Sequence, residues 1–106
     1  MLLNNKDLKR FSKQIILKNV GISGQKKIKT AKVLIIGAGG LGCPLILYLA
    51  SSGIGNIGIV DYDKVDISNL HRQTLFTNKD VGKFKVIQAK KFIKKINSSI
   101  KVHIFK

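Results

Sequence analysis

The stretch KVLIIGAGGLG, residues 32–42, limits the folds open to this chain more than any other. A short run rich in β-branched side chains ends in glycine, more glycines follow at once, and then comes LGCPLILYLASS. KVLIIG (32–37) reads as a strand buried on both faces, as in a parallel sheet. Residues 41–52 suit a helix, with Pro44 tolerated in its first turn and Gly53 as its stop. Between them Gly37, Gly39 and Gly42 satisfy G-x-G-x-x-G. In that pattern the first glycine permits a tight turn, the second lets backbone approach a phosphate, and the third allows close helix–strand contact. The helix N-terminus offers unpaired N–H groups and a partial positive charge to an anion. Any sharp turn also uses glycine, so the pattern gains force only from its surroundings.

Those surroundings agree with it. Leu8, Phe11 and Ile15 recur at helical spacing, which predicts an amphipathic helix over about residues 6–18. Gly21 and Gly24 punctuate its exit, and a short helical turn is expected near Gln25–Lys29. IGIV (57–60) reads as a second buried strand and KVHIF (101–105) as a third. A helix is expected over about 79–96, where Ala89, Phe92, Ile93 and Ile96 share one face and four lysines take the other. The order is a helix and then β-α-β-α-β. That is an α/β, Rossmann-like half-domain with a parallel sheet.

Asp61 ends the second strand, 19 residues after Gly42, where a carboxylate would accept hydrogen bonds from a ribose. The placement is conspicuous because acids are scarce: 20 Lys and Arg face 5 Asp and no Glu, for a net charge of +15. Three of those five, Asp61, Asp63 and Asp66, fall within DYDKVDISNLHRQ (61–73). Asp63 is a candidate for the same site, and Asp66 suits a turn closed by local backbone hydrogen bonds. Asn69, Arg72 and Gln73 can donate to phosphate oxygens, and Lys85 opens a helix where a cation could face the same anion. The single cysteine, Cys43, excludes an internal disulfide and any multi-cysteine metal site within these residues, and reads as packing. His71 and His103 have no partner pattern. No apolar run is long enough to span a membrane and no signal-peptide pattern opens the chain, so a cytoplasmic protein, or one of an organelle stroma or matrix, is expected.

At these residues the chain resembles the N-terminal part of the adenylyltransferases that activate ubiquitin-like sulfur-carrier proteins in molybdopterin and thiamine biosynthesis, relatives of the ubiquitin-activating enzymes. The resemblance runs from about Arg10 to Val102, through RFSKQIIL, GQKKIKTAKVLIIGAGGLG, IVDYDKVDISNLHRQ and DVGKFK. It implies that Gly37, Gly39, Gly40 and Gly42 hold ATP, that Asp61 and Asp63 serve its ribose side, and that Asn69, Arg72 and Gln73 contact the phosphates. Lys85 would neutralise phosphate charge, and the C-terminal carboxylate of a Gly-Gly carrier tail would attack the α-phosphate of Mg·ATP. The implied partners are the carrier protein and a second copy of the chain. Neither membrane nor nucleic acid is expected, since the lysines are spread out and not interleaved with aromatics.

Two departures accompany the resemblance. Where such enzymes carry an arginine that reaches the neighbouring subunit's nucleotide, this chain has Lys13, which keeps the charge but loses the planar fork. The magnesium-binding aspartate, the carrier surface and the zinc-binding cysteine pairs of the family would lie beyond Lys106. Residues 1–106 are therefore expected to form the N-terminal nucleotide-binding part of such a domain, inactive in isolation, with the metal ligand outside it. Two other readings use fewer of these residues: a nicotinamide- or flavin-binding domain, which has no need of SNLHRQ, and a non-catalytic remnant that binds nucleotide or a partner.

Overall fold

The computed structural model describes residues 3–106. Its N-terminal stretch is not the single helix expected over 6–18. It is α1 (Asn5–Arg10) followed by α2 (Ser12–Ile15), broken at Phe11, whose φ of −105° and ψ of 16° leave the helical region. The break has a packing cause: Phe11 turns into the interior and is 5% exposed, whereas Leu8 stays 40% exposed. Asn4 starts α1 with a reciprocal cap, its side chain accepting from the Asp7 N–H at 2.8 Å while Asp7 accepts from the Asn4 N–H at 3.0 Å. Gly21 and Gly24 do not end a helix either; they lie in the first turns of α3 (Gly21–Thr30), longer than the short turn expected there.

The rest follows the expected order: β1 (Lys32–Ile36), α4 (Gly42–Ser52), β2 (Asn56–Val60), α5 (Lys85–Ile96) and β3 (Lys101–Phe105). The three strands are parallel and adjacent in chain order, with Ile35 beside Ile59 and Ile59 beside Ile104. Cys43, Ile46 and Ala50 lie on one face of α4, and Val86, Ala89 and Ile93 on one face of α5. These stripes meet Ile35, Ile57, Ile59 and Val102 to form the core. Each fully buried isoleucine contributes on the order of 2 kcal/mol of transfer free energy.

Two more expectations need correction. β1 is buried on one face only: Ile35 is 4% exposed, but Leu34 and Ile36 are 58% and 80% exposed. The reason is that α4 and α5 pack against each other, and so cover the same side of the sheet. α5 begins at Lys85 rather than near residue 79, because Asn78–Asp80 forms a separate 3-10 turn and Gly82 then takes a left-handed φ of 85°. Among the described residues no helix is long and apolar enough to cross a membrane.

At the N-terminal end of the sheet, α1, α2 and α3 are tied down by polar contacts. Gln14 Nε2 donates to Gln25 Oε1 at 2.8 Å and to the Ser52 carbonyl at 3.1 Å, and Gln25 Nε2 donates to that carbonyl at 3.1 Å. Lys29 pairs with Asp7 at 2.6 Å, and the Arg10 guanidinium donates to the Ile96 carbonyl at 2.9 Å.

Candidate functional site

The glycine loop leaves β1 at the C-terminal end of the sheet, the end where open α/β sheets bind their ligands. Gly37 still belongs to the ladder, its N–H donating to the Val60 carbonyl at 2.7 Å, but its φ of 95° is one that a side chain would strain. Gly42 is required for space, since a Cβ there would lie 1.9 Å from the Gly37 carbonyl oxygen. Gly39 and Gly40 differ. A Cβ at Gly39 would meet nothing within 4 Å, and one at Gly40 would meet the Arg72 side chain first, at 3.4 Å. Among the described residues no acceptor takes the N–H of Gly39 or Gly40. The loop therefore keeps unused donors at Gly39 and Gly40, with open space beside Gly39. Cys43 is sealed beneath it, its thiol donating to the Ala38 carbonyl at 3.3 Å; burial pushes that thiol up, against the Leu75 backbone and the Lys85 charge, which lower it.

Asp61 follows β2 directly and fastens the loop. Its Oδ2 accepts from the Ala38 N–H at 2.8 Å and its Oδ1 from the Asp63 N–H at 2.8 Å. Two charge-assisted bonds thus hold the carboxylate against the base of the glycine loop. Asp63 is exposed, with one oxygen 4.0 Å from Lys85 Nζ, while its carbonyl accepts from the Lys85 N–H at 3.0 Å. The Lys85 side chain is only 7% exposed, which places a poorly hydrated cation beside the Asp63 carboxylate. Asp66 closes its own turn, accepting from the Ser68 hydroxyl at 2.7 Å and the Ser68 N–H at 2.9 Å, and those two bonds hold its carboxyl below the usual range.

Asn69, Arg72 and Gln73 share one tight turn, because the Arg72 and Gln73 N–H groups both donate to the Asn69 carbonyl, at 3.1 and 2.9 Å. That turn lays Arg72 against Gly40 and sets its guanidinium 3.3 Å from the His71 ring. Gln73 points inward, 3% exposed, and its Oε1 has no hydrogen-bond partner. Lys13 is not brought to this cluster. It lies exposed on α2, and the neighbouring Gln14 is bound to the C-terminal end of α4, a helix length of about 16 Å from the glycine loop.

Several features here escape sequence reading. Nothing in the spacing shows that Asp61 takes the Ala38 N–H, or that Phe84 sits between the Lys64 and Lys106 ammonium groups at 5.2 and 4.6 Å. The burial of Lys85 has a faint signal, since it precedes the apolar stripe of α5. The cluster forms a shelf at the C-terminal end of the sheet; a cavity of about 70 Å³ near Asp7, Phe11 and Asn97 lies at the other end. Among the described residues no three His, Cys, Asp or Glu side chains converge as metal ligands. The shelf can hold an anion: unused N–H groups, an arginine and a desolvated lysine lie around a carboxylate-fastened loop.

Comparison with known proteins gives the same outline. A model of the ThiF family matches residues 11–106. The adenylyltransferase and sulfurtransferase MOCS3 of Culex quinquefasciatus is 54% identical over 100 residues, which cover 94% of this chain and 23% of that protein. A probable molybdopterin-synthase adenylyltransferase of Gracilaria tenuistipitata var. liui is 50% identical over 103 residues, covering 97% of this chain and 29% of its own. Among solved structures, Escherichia coli MccB with ATP superposes with a TM-score of 0.84 at 39% identity, over 97% of this chain and 31% of that one. The chain thus spans less than a third of the length of each of these relatives.

Proposed function

The chain belongs to the ThiF family, and from that premise we propose that it is the nucleotide-binding part of an ATP-dependent adenylyltransferase acting on the C-terminal carboxylate of a ubiquitin-like sulfur-carrier protein. The observation that carries the reading is the seating of Arg72 against Gly40, in a loop where the Gly39 and Gly40 N–H groups have no acceptor among the described residues. An NAD- or flavin-binding loop needs the glycines but has no use for an arginine laid across them. The names of the relatives, an adenylyltransferase and sulfurtransferase and a molybdopterin-synthase adenylyltransferase, support the same choice.

In this reading Gly39 and Gly40 hold the phosphates through backbone donors. Arg72 and Asn69 orient them, whereas Gln73, expected to join them, is turned inward and buried beneath their turn, and Lys85, already stripped of most of its water, offsets the phosphate charge. Asp61 holds the loop in shape and turns its remaining lone pairs to the ribose, with Asp63 next to it. The carrier carboxylate attacks the α-phosphorus, the bond to pyrophosphate breaks, and a carrier acyl-adenylate forms. The attacking group is already an anion, so positioning and charge stabilisation are the protein's task. Magnesium customarily accompanies ATP, but no ligand set for it forms among the described residues, and no step here is assigned to it.

Lys13 acts, on this proposal, on the nucleotide of a second copy, which fits its distance from the glycine loop of its own chain. The site of action is the cytoplasm, or an organelle stroma or matrix. The test is calorimetry with ATP, NAD and adenosine. ATP should bind better than NAD, and Arg72→Ala should weaken ATP while sparing adenosine. Preference for NAD, or equal loss of ATP and adenosine in the variant, would refute the assignment.

A further inference from the structure

Three consecutive peptide groups join Gly37 to Gly40, and all are trans. In a trans peptide the carbonyl of one residue and the N–H of the next point in opposite directions. The first turn of α4 takes the carbonyl side of all three. The Gly37 oxygen lies against Gly42, so close that a Cβ there would come within 1.9 Å of it. The Ala38 oxygen accepts from the Cys43 thiol at 3.3 Å, and the Gly39 oxygen from the Cys43 N–H at 2.9 Å. The N–H groups of Ala38, Gly39 and Gly40 are thereby turned away from α4. A row of successive backbone donors facing one way is an anion-binding concavity. Its first donor already holds an anion, since the Ala38 N–H donates to the Asp61 carboxylate at 2.8 Å. The next two, at Gly39 and Gly40, have no acceptor among the described residues.

Cys43 therefore does more than fill space. It is fully buried, and its thiol and its own N–H engage two successive carbonyls of the loop. An alanine would keep the second of these bonds and lose the first. Burial pushes the thiol up, and the Leu75 backbone beside it acts in the other direction. The group stays protonated near neutrality, which is the form that can donate. Leu75 lies two residues past Gln73, so the sulfur meets both the glycine loop and the segment that carries Arg72.

We propose that Cys43 is a positioning residue for the nucleotide. Its thiol holds the Ala38 carbonyl and so aims the Gly39 N–H; its backbone N–H holds the Gly39 carbonyl and so aims the Gly40 N–H. The proposal rests on the reading that these two donors take the phosphates. The two halves are separable, because only the first depends on the side chain. Removing the thiol frees the peptide between Ala38 and Gly39 and leaves the next one held.

The test begins with residual dipolar couplings, which report N–H directions, in isotope-labelled protein without ligand. In Cys43→Ala the Gly39 coupling should change and the Gly40 coupling change less, while those of β1 and β2 stay and show the fold intact. Cys43→Ser, which keeps a donor of similar reach, should bring the Gly39 coupling back. Should Cys43→Ala not fold, Cys43→Val, which fills the space without the donor, takes its place. Calorimetry then compares ATP with adenosine. Cys43→Ala should lose about two- to tenfold in ATP affinity, the span of one ordinary hydrogen bond, with adenosine unchanged. Cys43→Ser should recover that loss. Unchanged couplings in Cys43→Ala, an equal change at Gly40, or no recovery in Cys43→Ser would overturn the proposal. An ATP affinity left intact, or an adenosine loss as large as the ATP loss, would overturn it equally. Preference of the parent chain for NAD would refute the ATP reading alone, and the couplings would still decide the role of Cys43.

Discussion

At the N-terminal end of the sheet polar groups are spent on one another, while at the C-terminal end several have no such partner among the described residues. Gln14, Gln25 and the Ser52 carbonyl close a part-buried triangle of hydrogen bonds, and Asp7 is paired with Lys29. Above the strands, the Gly39 and Gly40 donors and the Arg72 guanidinium meet no carboxylate among the described residues. Two glycines show the same contrast. A Cβ at Gly55 would fall 1.8 Å from the Lys29 carbonyl oxygen, whereas one at Gly39 would meet nothing within 4 Å. Gly55, like Gly42 within the loop, excludes a side chain so that backbone can pack; Gly39 leaves room that the protein does not fill. Glycine in a sequence thus has two opposite meanings, and only the structure separates them.

The largest expected effect tests that division directly. Gly55→Ala should destabilise the fold by about 3 kcal/mol, because rigid backbone must move to admit the methyl group. Gly39→Ala should leave stability unchanged or raise it by up to about 1 kcal/mol through the unfolded chain, yet weaken ATP binding. Urea denaturation of both variants decides; similar midpoints would dissolve the contrast between the two ends.

Next comes Arg72→Ala, which should cost ATP binding about 1.5–3 kcal/mol, the range of hydrogen bonds to charged groups. Stability should hold within about 0.5 kcal/mol, as for an exposed side chain. If the melting temperature falls instead and ATP affinity does not, Arg72 belongs to the structural end of the comparison.

Asp61→Ala should weaken ATP binding more than Asp66→Ala does. Asp61 fastens the glycine loop itself, whereas Asp66 closes a local turn on the exposed surface through Ser68. Calorimetry showing equal losses of affinity would remove Asp61 from the site.

The smallest effect concerns acid. Burial raises the Asp7 carboxyl, but the hydrogen bond and charge of Lys29, the Asn4 N–H and Arg10 outweigh it and hold the group below its ordinary value. A depressed carboxylate contributes stability that is fully present above its unfolded pKa and disappears as pH falls through the folded one. Asp7→Asn should therefore be less stable than the parent near neutrality, and the difference should shrink on acidification. Denaturation midpoints measured from neutral to acid pH give the answer, and a gap that widens toward acid would reverse the sign.

Much of this is legible in the sequence for a plain reason: KVLIIGAGGLG and Asp61 obey local geometry, which the chain states outright. The strand, the loop, α4 and the end of β2 all follow from it. The failures occur where distant packing wins. Phe11 breaks a well-patterned helix because Gly53, more than forty positions on, makes room for its ring. Gly21 and Gly24 sit inside α3 because Gln25 must reach Ser52. Burial of β1 on both faces was a fair expectation from its composition, but which helices share a side is not written in any single strand. At the site, Arg72 is readable as a phosphate ligand by resemblance, while its place over Gly40 and the double engagement of Asp61 emerge only in three dimensions.

The order of the strands bears on biosynthesis. Each strand adds to the edge left by the one made before it, so the sheet can assemble in the direction of translation. Until Lys101–Phe105 has left the ribosome, β2 is itself an edge, with hydrogen-bonding groups awaiting a partner. α5, which packs on β3, precedes it in the chain and is already made by then. During that interval the nascent chain should be most vulnerable to mispairing and most dependent on chaperones. A ribosome pausing within residues 60–100 would prolong that interval, whereas the same pause after β3 would expose no edge of β2.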